Sequence, residues 1–173
     1  MVPMQSHPVI DAVLARHRSA LGRDEQTYRN HVYRCANYQW ELLDGELPDT
    51  AALAWAVHDL GIWTAGTFDY LTPSAGLVDE FAAEFGIADP ELVRTMVLDH
   101  HGLVARADPL VETFRLADRV DVGHGLLRGR IDAEFVAQVV ERFPYAGFHR
   151  FLVRSGLRHL VRHPARPLPM LRW

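Results

Sequence analysis

The 173-residue sequence contains no lysine; its 18 strongly basic side chains are all arginine. Schiff-base chemistry through a lysine is therefore excluded, and so is a phosphate loop that depends on one. Any anion must be met by Arg, His, a helix N-terminus or a metal. There is a single cysteine, Cys35. No disulfide can form within the chain, and a cysteine-rich zinc module is excluded. Cys35 lies in an apolar helical stretch and reads as a small buried filler rather than a nucleophile. No apolar run approaches the ~20 residues that span a bilayer. The first residues lack the cationic-then-apolar order of a secretory signal, so the expected location is cytoplasmic and no membrane partner is expected. No segment alternates polar and apolar residues over a useful length, so no sheet is expected. Internal repeats and domain linkers are missing too. The formal net charge of −4 argues against a general nucleic-acid-binding surface, although a small phosphorylated molecule needs only local positive charge.

What is present is helical periodicity almost from end to end. With 49% hydrophobic residues and 23% charged, the chain suits one globular domain with a sizeable core. Ser6 is the expected cap of a first helix through about Leu21, ended by Gly22. Asp24 starts a second through about Leu43. Asp49 or Thr50 caps a third, rich in Ala, that runs to His58-Asp59 and stops at Gly61. Residues 61–72 read as a loop at the mouth of a site. Pro73 sits in the first turn of a fourth helix that ends at Gly86. Asp89-Pro90 starts a fifth reaching His100-His101, and Asp108-Pro109 a sixth. Asp132 caps a seventh through Phe143, and an eighth runs from Gly147 to about Arg162. The Pro-rich ending, 164–173, reads as an extended segment on the body, with Leu168, Met170, Leu171 and Trp173 to bury. The expected fold is an all-α, single-domain helical bundle over residues 1–173. Its metal-site core spans about 24–121, and residues 131–173 pack on that core.

Four residues on three of these helices stand out: His31, the adjacent His58-Asp59, and Asp118. Two imidazoles and two carboxylates can hold one divalent metal and leave positions open for water and substrate. The apolar lead-in from Ala52 to Val57 implies a buried helix. A buried His-Asp pair needs partners, which a cation supplies.

The order His…His-Asp…Asp, in the contexts NHVYRCA, LAWAVHDLGIW and FRLADRVD, resembles the HD-domain superfamily of metal-dependent phosphohydrolases. That resemblance implies an HD-type bundle and a metal held by His31, His58, Asp59 and Asp118. It implies attack of metal-activated water on a small phosphorylated substrate, a phosphomonoester or phosphodiester, with Asp59 also accepting a proton. N and O ligands suit one divalent ion of Zn, Mn, Fe, Ni or Co alike. Relatives insert further histidines between the paired motif and the last Asp, to contact substrate or bind a second metal. Here the interval offers only the couple His100-His101, which favours a catalytic or supporting role over a complete second site. Arg34 is a candidate either to bind a phosphate or to orient Asp118, Arg115 and Arg119 are candidate anion contacts, and Asp69 and Tyr70 in the loop are candidates for substrate contact or proton transfer. Asp121, three residues beyond Asp118, is a candidate supporting residue. Some nucleotidase members carry a carboxylate one turn after the paired motif; this chain has Ile62 there, and Asp69 is the nearest replacement. Two other readings stay open. One is a non-phosphate HD metalloenzyme, such as a nitrile hydratase or an iron oxygenase; the other is a non-catalytic nucleotide- or metal-binding module.

Overall fold

The computed structural model describes residues 2–165 and 169–170. Among them no strand occurs, and the fold is an all-α bundle. The helices are α1 (Pro8–Arg16), α2 (Arg18–Leu21), α3 (Glu25–Leu42), α4 (Asp49–Val57), α5 (Gly61–Thr64), α6 (Leu71–Gly76), α7 (Val78–Ala82), α8 (Pro90–Asp99), α9 (Pro109–Val122), α10 (Ala133–Arg142) and α11 (Phe148–Arg162).

Three N-termini follow directly from local chemistry. The Asp89 side chain accepts the Leu92 N–H at 3.0 Å, Asp108 accepts that of Leu110 at 2.8 Å, and Asp132 accepts that of Glu134 at 2.7 Å. Each satisfies an N–H that the helix cannot. Pro90 and Pro109 occupy first-turn positions where no donor is needed. Several expected boundaries shift. His7, not Ser6, precedes α1, and neither Asp49 nor Thr50 caps α4, whose N-cap is Pro48. The expected first helix is broken at His17, and the expected fourth divides into α6 and α7. The expected loop 61–72 contains the single turn α5.

The helix α4 lies in the middle of the molecule, with Ala51 through Val57 all buried. Small alanines let α1, α3 and α8 approach it closely. Trp55 fills the remaining volume, stacking on Phe114 with ring centroids 3.6 Å apart and donating its indole N–H to Gln39 Oε1. The helix α3 packs along α9. These two contacts hold the ends of α3, α4, α8 and α9 around one point. Met170 of the tail is buried against Ile62, Tyr70 and Leu71; Leu168, Leu171 and Trp173 lie outside the described residues.

Candidate metal centre

That point is where the sequence-chosen side chains meet. His31 comes from the second turn of α3 and Asp118 from the third turn of α9. His58 and Asp59 follow the last residue of α4, where the chain tightens: Leu60 N–H bonds Val57 O and Ile62 N–H bonds Asp59 O. Adjacent residues on a regular helix diverge by about 100°. The tightened turn lets both face the same centre. Tyr28 braces this turn, donating its hydroxyl to Ala56 O at 3.1 Å and accepting the Asp59 N–H at 3.3 Å. His100, just past α8, completes the buried set.

The His31 Nε2 atom lies 3.0 Å from His58 Nε2, 3.6 Å from Asp59 Oδ2 and 3.8 Å from Asp118 Oδ1. His100 Nε2 is 3.6 Å from Asp59 Oδ1, and His101 Nδ1 is 3.5 Å from Asp118 Oδ2. The ligating atoms of His31, His58 and Asp118 fall within 4.8 Å of one another; so do those of His58, Asp59 and His100, and of His100, His101 and Asp118.

The other ring nitrogens decide what these atoms can do. His58 Nδ1 lies 2.8 Å from Trp55 O and His100 Nδ1 lies 2.7 Å from Val97 O. A carbonyl only accepts, so both Nδ1 atoms carry protons and both Nε2 atoms point inward; against burial, Asp59 and Asp118 raise the His100 pKa. His31 Nδ1 lies 2.7 Å from Asp121 Oδ2. That carboxylate is ionised, held down to about 2 against its burial by His31 and Arg34, so His31 also donates from Nδ1. Three imidazoles are thereby fixed by outer partners with Nε2 aimed at the carboxylates, as metal-ligating histidines usually are.

Between His31 and His58 this leaves two inward nitrogens 3.0 Å apart. Neutral rings cannot bond to each other there; a proton or a cation must stand between them. Burial works against charge on His31, yet Cys35, Asp121 and Asp59 outweigh it and raise its pKa well above 6.5. Burial holds His58 neutral, down to about 3. A proton is thus the occupant that the protein alone provides. A divalent cation held by both nitrogens would meet the same need. Asp59 Oδ1 and His100 Nε2 are buried with no hydrogen-bond partner, and burial pushes the Asp118 carboxyl up to about 6. Orphaned donors of this type, in this number, fit a divalent cation.

The centre forms the floor of a cavity of about 530 Å³. His31, Asp59, Tyr70, His101 and Asp118 face into it. Its walls are apolar: Phe68, Val122, Phe148, Leu152, Leu157 and Met170 contribute. Tyr70 reaches the floor because Gly61 lets the chain pass close by; a Cβ on Gly61 would lie 2.5 Å from Tyr70 O. Burial, then Asp59 and Asp118, raise the Tyr70 hydroxyl pKa well above 10. It stays protonated and donates to His101 Nε2 at 2.7 Å. Burial, aided by His100, keeps His101 neutral, with its own proton on Nδ1 toward Asp118.

Other candidate substrate residues are placed differently. Arg34 is fully buried and forks onto Asp121 at 2.5 and 2.9 Å, with Nη1 on the Phe143 carbonyl at 2.9 Å. Its guanidinium is consumed as the partner of Asp121 and does not line the cavity. Arg115 is likewise buried, on Glu112 and the Gly102 carbonyl. Asp69 is exposed and outside the residues that line the cavity. Cys35 is buried, its thiol pushed up to about 12. Phe148 was not a site candidate from sequence, yet it stacks on His31 with centroids 3.9 Å apart. Its only signal was the apolar side of α11.

No protein-family model, curated protein or solved structure matches this chain.

Proposed function

We propose that this chain is a metal-dependent hydrolase of the HD type, acting on a small phosphoester with an apolar body. The observation that carries the reading is the inward-facing set of three Nε2 atoms, on rings fixed by outer partners, beside Asp59 and Asp118 at the floor of a cavity. His31, His58, Asp59 and Asp118 are the residues that would hold the cation, and His100 contributes from the far side of Asp59. When bound, a divalent metal supplies Lewis acidity, bringing a water's pKa toward neutrality. Hydrolysis places that water's hydroxyl on phosphorus and a proton on the departing oxygen. His101, tied to Tyr70 and facing the cavity, is placed to carry that proton. The apolar walls exclude bulk water and take the organic part of the substrate.

A second reading rests on one observation: no arginine is among the described residues that line this cavity. An uncharged substrate such as a small nitrile, hydrated to its amide by the same activated water, needs none.

Elemental analysis of the purified chain, with His58→Ala and Asp59→Ala beside it, tests the centre. Roughly one metal per chain is expected, and a loss of most of it in both variants. Equal metal in variant and wild type would overturn both readings. A panel of aliphatic and aromatic phosphoesters against small nitriles, run with each of zinc, manganese, iron, nickel and cobalt, then separates the two.

A further inference from the structure

The helix α11 divides two cavities. Leu152, Gly156 and Leu160 face the metal centre, while Arg150, Arg154, Arg158 and Arg162 face a separate groove of about 560 Å³. Phe68 borders both, against Gly156. The four arginines recur every fourth residue, so they form one row with heads spaced about 6 Å apart along the axis. No acidic residue occurs in α11. No ion pair or hydrogen bond joins any of these four side chains to a described residue. Arg23 also lines the groove, its Nε 4.0 Å from Asp24 Oδ1. Asp24 is the one acid among the described lining residues; it accepts the Trp63 indole N–H at 3.1 Å. The Thr67 and Ser155 hydroxyls also line the groove.

Like charges at i, i+4 destabilise a helix. An unpartnered row of four is an array that a bound anion would stabilise. The spacing selects the anion. One phosphate meets one or two heads, whereas a chain of linked phosphates meets several at once, by bidentate arginine bonds. Trp63, stacked on Phe151 at 4.9 Å, gives the groove an aromatic floor beside the row.

We infer that the α11 groove is a binding site for linked phosphates, of a free polyphosphate or of a nucleoside triphosphate, separate from the metal centre and independent of the activity proposed for it. Calorimetric titration of the full chain with inorganic tripolyphosphate at low salt tests this. Binding is expected, falling steeply as salt is raised from 50 to 200 mM, by about tenfold or more. Arg154→Gln/Arg158→Gln should weaken it by at least about tenfold, with helicity and metal content retained. His58→Ala, and wild type stripped with EDTA, should bind as before. Adenosine triphosphate in place of tripolyphosphate separates the sources: tighter binding assigns a nucleotide, equal binding the phosphate chain alone. No binding by wild type, undiminished binding by the double variant, or loss on removal of the metal centre would each overturn the inference. So would association with anionic phosphatidylglycerol vesicles when tripolyphosphate fails to bind.

Discussion

Two buried carboxylate clusters meet along α9, where Asp118 and Asp121 lie about one turn apart, and they are finished differently. Around Asp121 every demand is met within the protein. Arg34 covers it with a two-pronged contact, His31 donates to it, and the Arg34 guanidinium is completed by the Phe143 and Pro144 carbonyls. Around Asp59 and Asp118 there is no arginine. Imidazoles surround them, two buried polar atoms lack partners, and a cavity opens onto the group. Burying charge is costly without compensation. The first cluster compensates with a permanent cation and becomes framework. The second has no such cation among the described residues, and its groups are of a type that could hold a metal ion. His31 belongs to both, so the closed cluster sets the orientation of the open one.

The largest expected effect breaks the closed cluster. Arg34→Met leaves the Asp121 carboxylate buried with His31 as its one remaining charged partner among the described residues, which should cost about 3–5 kcal/mol in urea denaturation. Asp59→Asn in metal-free protein should cost far less, because it removes a charge that has no arginine. Equal losses would erase the distinction. The next effect sharpens the open cluster. A metal at one hundred times its dissociation constant should stabilise the wild type by about 2.7 kcal/mol, read as a rise in melting temperature. Asp59→Asn should show little of that rise and Arg34→Lys, if folded, should keep it.

The smallest effect is the pH dependence of the metal-free fold, which has two acid limbs. Burial lowers the pKa of His7 and His17 from 6.5, so the unfolded chain takes up their protons first. The stability that these two groups contribute should begin to decline as pH falls below about 6.5, against the opposite contributions of His31 and Asp118, whose folded-state pKa values are raised. Asp121 is depressed from 3.8 to about 2, so its contribution is complete above 3.8 and is lost as pH falls toward 2. A single limb, in denaturation midpoints measured from pH 8 to 2, would show that the closed cluster does not titrate separately.

Much of this was legible in the chain itself. Periodicity, Gly22, and the Asp-Pro starts at 89–90 and 108–109 located most helices, since capping is a local matter. His31, His58, Asp59 and Asp118 were legible as a set because their types and order suit one cation, and the structure brings their side chains close to one another. Arg34 and Arg115 were misjudged as substrate contacts. Spacing places a guanidinium on a helix face but does not tell which carboxylate it will meet across the bundle. His17 and the α6–α7 break were missed because short helices take their limits from packing.

The sequence by itself determined an all-helical chain, the absence of lysine chemistry and the residues able to hold a cation, because helix periodicity and ligand type reside in single residues and near neighbours. Only the tertiary structure decided which carboxylate receives an arginine and which is left to imidazoles. Only it placed apolar walls over one side of α11 and left the row of arginines on the other facing a groove. Those outcomes depend on atoms far apart in the chain meeting at hydrogen-bond distance, which no local pattern encodes.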